Sequence, residues 1–223
     1  PGTGILTDEI LSWNVQLRAF ELDKRLQKYL SEHYQGRFVL ESTDILQANW
    51  DSLIQQDGYP LKLIANIPYQ ITSPLLALLE KHSKFFSRIV LMVQKEVAQR
   101  LCAQSHSKHY SPLTIRLHLV YDIYSKIQVN KEKFNPVPKV DSTVILLLPR
   151  TDKPIIKYPE SFNNIIDAAF AHRRKTLANN FIPVLGKEKT KELENLSQIN
   201  FRQRGEELEE KDFILLSELV SSL

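Results

Sequence analysis

The chain has 223 residues, of which 43% are hydrophobic and 25% charged, with a formal net charge of +3 and a pI near 8.9. That is enough apolar material for one large domain, or one plus a small appendage, and it excludes a disordered or low-complexity chain. Cys102 is the lone cysteine, which rules out an internal disulfide, and no apolar run is long enough for a membrane-spanning helix. The lone cysteine suits a reducing compartment; a cytoplasmic location and a monomer are expected, and the mild positive charge permits a polyanionic partner without requiring one.

Pro1-Gly2-Thr3-Gly4 reads as the tail of a Gly-x-Gly-x-Gly loop, in which glycines let the backbone approach a ligand and turn into a helix. Because the chain opens there, and its only methionine is Met92, it is expected to be a piece of a longer protein. The first strand and the glycine before Pro1 would then lie outside it, and this piece alone would bind a cofactor poorly. Val15 to Phe20 reads as a strand ending at Glu21-Leu22-Asp23. An acid at that strand end suits acceptance from two ribose hydroxyls; Glu21 is the better placed, while Asp23 caps a helix over 24–34. Phe38-Val39-Leu40 is a third short strand. Asp44 follows it, either accepting from an adenine amine or capping a helix, with Ile45 or Leu46 able to cover the ring.

The run Leu61 to Ala65 predicts a strand buried on both faces, ending at Asn66-Ile67-Pro68-Tyr69, because Pro68 cannot donate to a ladder. Ser73 and Pro74 predict the start of the next helix, buried through Leu75, Leu76, Leu78 and Leu79. A strand over Ser87–Gln94 and a helix through about Gln104 follow. Lys95, Arg100, Lys108 and His109 near their exit offer a phosphate-contacting surface or a solvated face. A helix from Tyr110-Ser111-Pro112 to about Val120 precedes an antiparallel strand pair, roughly Tyr124–Asn130 and Thr143–Leu148. Between those strands, the prolines of Phe134-Asn135-Pro136-Val137-Pro138 stiffen a loop able to hold Phe134 out toward Tyr69, or to bury it in a turn. Residues 149–159 read as a linker before a helical segment. That segment contains Arg173-Arg174-Lys175, three cations ahead of a helix, and Gly205-Glu206-Glu207 at the start of the last helix.

Asn-Ile-Pro-Tyr at a strand end resembles the motif of amino-methyltransferases acting on a planar substrate nitrogen. An exocyclic adenine amine shares its lone pair with the ring. Two acceptors on its hydrogens, Asn66 and the carbonyl of Ile67 or Pro68, favour a pyramidal and more nucleophilic nitrogen, with Tyr69 stacking on the base.

Pro-Gly-Thr-Gly at 1–4, Phe-Glu-Leu-Asp at 20–23, Asp44, Asn-Ile-Pro-Tyr at 66–69, Gln-Lys-Glu-Val at 94–97 and the Phe-x-Pro-x-Pro-Lys-Val-Asp-Ser of 134–142 follow one family's order. Arg-Arg-Lys-Thr-Leu at 173–177 matches its helical C-terminal part. Over almost its whole length the chain resembles the KsgA-type small-subunit rRNA adenine dimethyltransferases. The resemblance implies an α/β fold: a class I, Rossmann-like, S-adenosylmethionine-dependent methyltransferase sheet over 1–150, N-terminally truncated, and a small helical RNA-contacting domain over 151–223. It implies transfer of two methyl groups to each of two adjacent adenines in a 3′-terminal hairpin of 16S-type rRNA, with immature 30S-type subunits as partner. Carried across, Gly2, Gly4, Glu21, Leu22, Asp44, Ile45 and Asn66 would bind S-adenosylmethionine. Asn66, Ile67, Pro68, Tyr69 and Phe134 would act on the target base, and Lys95, Arg100, Arg173, Arg174 and Lys175 would hold RNA. The histidines lack ligand spacing, so no metal is expected. The rival readings are a macrolide-resistance-type methyltransferase acting on large-subunit rRNA, a non-catalytic RNA-binding or transcription-factor relative, and a nicotinamide dehydrogenase.

Overall fold

A computed structural model describes residues 1–223 except Tyr59. The chain falls into two compact units, Pro1–Phe86 and Ser87–Leu223.

In the first unit, helix α1 (Ile5–Ser12) starts directly from Gly4, whose φ of 98° is reached at little cost only without a Cβ. Strands β1 (Arg18–Phe20) and β2 (Val39–Glu41) pair in parallel, in register Ala19 to Leu40. The expected strand from Val15 shortens because pairing opens only at Leu17, whose carbonyl accepts from Val39 N–H at 2.9 Å. Helix α2 (Lys24–Tyr34) lies between them and begins where its cap predicts, with the Asp23 side chain accepting from Arg25 N–H. Helix α3 (Trp50–Asp57) was not foreseen. Its first residue, the buried Trp50, donates its indole N–H to the Ile45 carbonyl at 3.0 Å and stacks on His82 at 5.6 Å.

Strand β3 (Leu61–Asn66) corrects one expectation. It is covered on one face only: Leu61, Leu63 and Ala65 are half-buried, whereas Lys62, Ile64 and Asn66 are exposed. With a period of two, the run's hydrophobicity overstated its burial. Helix α4 (Thr72–Lys81) buries Leu75, Leu76 and Leu79 as expected. Ser73 does not cap it, because a 3₁₀ turn over Tyr69–Ile71 runs straight into the helix and places Pro74 inside the first turn, where no N–H is needed.

In the second unit, β4 (Phe86–Gln94), β6 (Ser142–Pro149) and β5 (Tyr121–Val129) pair antiparallel in that spatial order, with a bulge between Ser125 and Ile127. Helix α5 (Lys95–Leu101) is shorter than expected. Helix α6 (Pro112–His118) has the predicted Ser111 cap and Pro112 start. Helices α7 (Pro159–Phe170), α8 (Leu177–Leu185), α9 (Lys187–Ser197) and α10 (Glu210–Ser222) complete the unit. They share one apolar core with Tyr110, Ile115 and Leu119, built on Phe162, Ile166, Phe181, Leu193, Phe201 and Phe213. The last helix starts later than expected. Glu209 and Asp212 form a reciprocal cap there, while Gly205 sits in a separate 3₁₀ turn where a Cβ would press on the Ala169 carbonyl at 2.8 Å.

Candidate active site and nucleic-acid interface

In the first unit two of the expected cofactor residues, Gly2 and Glu21, meet at the glycine turn. Gly2, at φ 60°, donates its N–H to Glu21 Oε2 at 3.2 Å, and Asp23 N–H donates to Oε1 at 3.0 Å. Burial raises the Glu21 pKa, but these backbone donors, together with the Pro1 amino group 3.4 Å from Oε2, leave the group below its ordinary value. It is therefore a carboxylate at neutral pH, with lone pairs left for further hydroxyl donors. Gln27 donates to the Glu21 carbonyl at 2.8 Å and fixes the strand end.

Gly4 rests on Tyr34. The buried Tyr34 hydroxyl faces Asp8 Oδ1 at 2.7 Å and the Gly4 carbonyl at 3.1 Å, and a Cβ on Gly4 would collide with it. Sequence reasoning missed Tyr34 and Gln27. A tyrosine that ends a helix announces only that its hydroxyl needs a partner when buried.

Asp44 settles as a turn residue without a helix behind it: its Oδ1 accepts from Leu46 N–H at 2.9 Å. Its Oδ2 makes no hydrogen bond among the described residues. Ile45 and Leu46 are half-buried, and Leu22 is exposed.

The Asn66 side chain is exposed at the carboxyl end of β3 and makes no hydrogen bond among the described residues. Ile67 is buried and anchors the turn. The Pro68 carbonyl accepts from Ile71 N–H at 3.1 Å, closing the 3₁₀ turn that carries the half-buried Tyr69. An uncommitted amide at a strand end, followed by a rigid turn with an aromatic ring, presents a polar acceptor beside a stacking surface.

In the second unit, Phe134 follows a 3₁₀ turn over Lys131–Lys133 and is half-buried, with an exposed loop after it. Asp141 closes this loop. Its Oδ1 accepts from Lys131 N–H at 3.2 Å and its carbonyl from Lys95 N–H at 3.0 Å. The three expected cations separate. Arg173 donates to the Tyr110 carbonyl at 3.0 Å and Glu206 Oε2 at 2.7 Å, whereas Arg174 and Lys175 are exposed with no side-chain partner among the described residues. Arg100 and Arg173, distant in sequence, line one polar cavity of about 410 Å³ with Glu96, Lys108, His109 and Phe170.

The family described as "Ribosomal RNA adenine dimethylase" matches residues 1–221. The chain belongs to the ribosomal RNA adenine dimethylase family. Among its relatives, the ribosomal RNA small subunit methyltransferase A of Lactobacillus johnsonii is 36% identical over 235 residues, covering 99% of this chain and 79% of the relative. That of Rippkaea orientalis is also 36% identical, covering all of this chain and 86% of the relative. A dimethyladenosine transferase from Plasmodium falciparum superposes with a TM-score of 0.75 at 26% identity, over 96% of this chain and 85% of that one. The 23S rRNA methyltransferase ErmE superposes at 0.72 with 20% identity, over 99% and 88%, and shares the fold. The rRNA adenine dimethylase family thus accounts for the α/β architecture.

Proposed function

We propose that the chain methylates small-subunit rRNA, using S-adenosylmethionine to dimethylate the exocyclic amines of two adjacent adenines in a 3′-terminal hairpin. The observation that carries this reading is the exposed, uncommitted Asn66 amide at the end of β3, followed by the Pro68 turn and Tyr69. The names of the small-subunit relatives favour this reading over the large-subunit one, since the likeness to ErmE is one of fold.

The residues present fit the cofactor. The Gly2–Gly4 turn leaves open space at Gly2, where a Cβ would meet nothing within 4 Å, and Glu21 is an ionised acceptor beside it. Bound S-adenosylmethionine supplies an electrophilic methyl group. Glu21 would take the ribose hydroxyls, and Asp44 Oδ2 the cofactor's adenine amine, with Ile45 and Leu22 against the ring. Asn66 Oδ1 would accept one hydrogen of the target amine and the carbonyl of Ile67 or Pro68 the other, the Pro68 carbonyl keeping one lone pair beyond its bond from Ile71 N–H. Together they draw the nitrogen toward a pyramidal, nucleophilic geometry. This stabilisation acts only as the amine reacts, so it lowers the barrier rather than merely tightening binding. Tyr69 and Phe134 offer rings for stacking on an extruded base. In this reading residues 1–150 carry the cofactor and the chemistry. Residues 151–223, with Lys95 and Arg100, help to hold RNA, and the enzyme acts as a cytoplasmic monomer on immature 30S-type subunits.

Incubating the protein with unmethylated small and large subunits and labelled cofactor, then mapping modified adenines by mass spectrometry, tests the reading. Two adjacent dimethyladenines in the small-subunit rRNA are expected. Modification confined to large-subunit rRNA, or none in either, overturns it.

A further inference from the structure

We propose that the cavity bounded by Arg100, Lys108, His109, Phe170 and Arg173 is a nucleotide-binding cleft that grips one unpaired residue of the RNA substrate by phosphate and base. The proposal rests on the reading of RNA as the substrate but concerns a site with no part in methyl transfer. The cavity, about 410 Å³, has the size of a small-ligand site.

Its cationic wall is built in advance. Arg100 Nε donates to Ser111 Oγ at 3.0 Å. The Thr114 hydroxyl donates to the Arg100 carbonyl at 2.8 Å, so the Ser111 hydroxyl gives its own proton to Thr114 Oγ1 at 2.9 Å. Ser111 and Thr114 are 5% and 0% exposed, so this lock is shielded from water. Arg100 is thereby fixed at its backbone and at Nε, while its two terminal nitrogens make no hydrogen bond among the described residues. Arg173 is held differently, through Nη2 alone, which donates to the Tyr110 carbonyl and to Glu206 Oε2. Lys108 is exposed and forms no ion pair among the described residues. A guanidinium with free donors beside an exposed ammonium suits a phosphodiester.

The rest of the lining is different in kind. Phe170 is half-buried and braced by Tyr110 and Phe213, with ring centroids 6.3 and 6.1 Å away. With the half-buried His109 it offers planar surface for stacking. Glu96 is exposed, and Asp167 is steadied by Arg116 at 2.7 Å. These two carboxylates can accept from a 2′-hydroxyl or a base amine, but they repel a free anion or an acidic peptide. Cations, a ring and carboxylate acceptors lining one cavity match a nucleotide.

The test uses a fluorescein-labelled RNA carrying the 3′-terminal hairpin of small-subunit rRNA with its single-stranded flanks, titrated at several salt concentrations. Lys108→Gln is expected to reduce the slope of log K against log salt by about one, and Phe170→Leu to weaken binding by about tenfold. A 4-thiouridine version of the RNA should crosslink to peptides containing His109 or Phe170, which requires no variant to fold. Unchanged affinity and slope in Lys108→Gln, or crosslinks confined to other peptides, overturns the proposal. The methylation map of the unaltered protein is independent of these readouts, so loss of the functional reading and loss of the cleft are told apart.

Discussion

Gly4→Ala is expected to damage the glycine turn through Tyr34, and a double-mutant cycle measures how. At φ 98° an alanine bears a backbone cost of about 1–2 kcal/mol. Its Cβ also lands on the Tyr34 hydroxyl, so the ring must move and lose the bond to Asp8 Oδ1 at 2.7 Å. A bond to a charged acceptor contributes about 1.5–3 kcal/mol, and the exposure of Asp8 puts this one near 1.5. Gly4→Ala alone should therefore cost about 3 kcal/mol, and Tyr34→Phe alone about 1.5. In the Tyr34→Phe background the colliding atom and its bond are already gone, so Gly4→Ala should cost only the backbone term plus the squeeze of ring carbons at 3.0 and 3.1 Å. The coupling should be about 1.5 kcal/mol. Both tryptophans, Trp13 and Trp50, lie in the Pro1–Phe86 unit, so urea unfolding followed by tryptophan fluorescence reports on the right part of the chain. Additivity of the two changes to within about 0.5 kcal/mol would refute the reasoning.

Burial, aided by the Asp8 carboxylate, pushes the Tyr34 hydroxyl up to about 12. The unfolded chain loses this proton near pH 10, so stability should fall between about pH 10 and 12. Burial raises Tyr110 further still, so ultraviolet titration should show two late-ionising tyrosines in the wild type and only the later one in Tyr34→Phe. Burial raises Glu210, but His118, whose Nδ1 lies 3.1 Å from its Oε1, lowers it together with its own backbone N–H and the Tyr110 hydroxyl, for a net downward shift. The unfolded chain therefore takes up this proton at higher pH than the folded one, and stability is lost as pH falls through the folded value. Glu210→Gln should cost about 1 kcal/mol at pH 7, and the gap in melting temperature from wild type should narrow as pH falls below the ordinary glutamate value of about 4.3. A gap independent of pH would contradict the pairing. Leu193→Ala, in a site with no exposure, should cost about 2–5 kcal/mol by denaturant unfolding.

What could be read in the sequence was what is decided locally. Asp23 and Ser111 announced helix starts because a cap needs only its own next few N–H groups. The strand pair around the Phe134 loop and the Asn66 motif were likewise visible. What could not be read depends on distant partners. Gly205 looked like a helix start, but its lack of a side chain answers to the Ala169 carbonyl. Arg173 looked like one of three equivalent cations until Tyr110 and Glu206 drew it away from Arg174 and Lys175. Nothing local marks Tyr34 as the floor under Gly4, thirty residues earlier, and the half-exposure of β3 is set by what covers the strand.

The central claim is that the Asn66 amide activates the target amine. Single-turnover methyl transfer to small-subunit rRNA by Asn66→Ala, with RNA binding measured alongside, tests it most directly. The account predicts a rate at least about a hundredfold lower with RNA affinity retained. A rate within about threefold of wild type would contradict it.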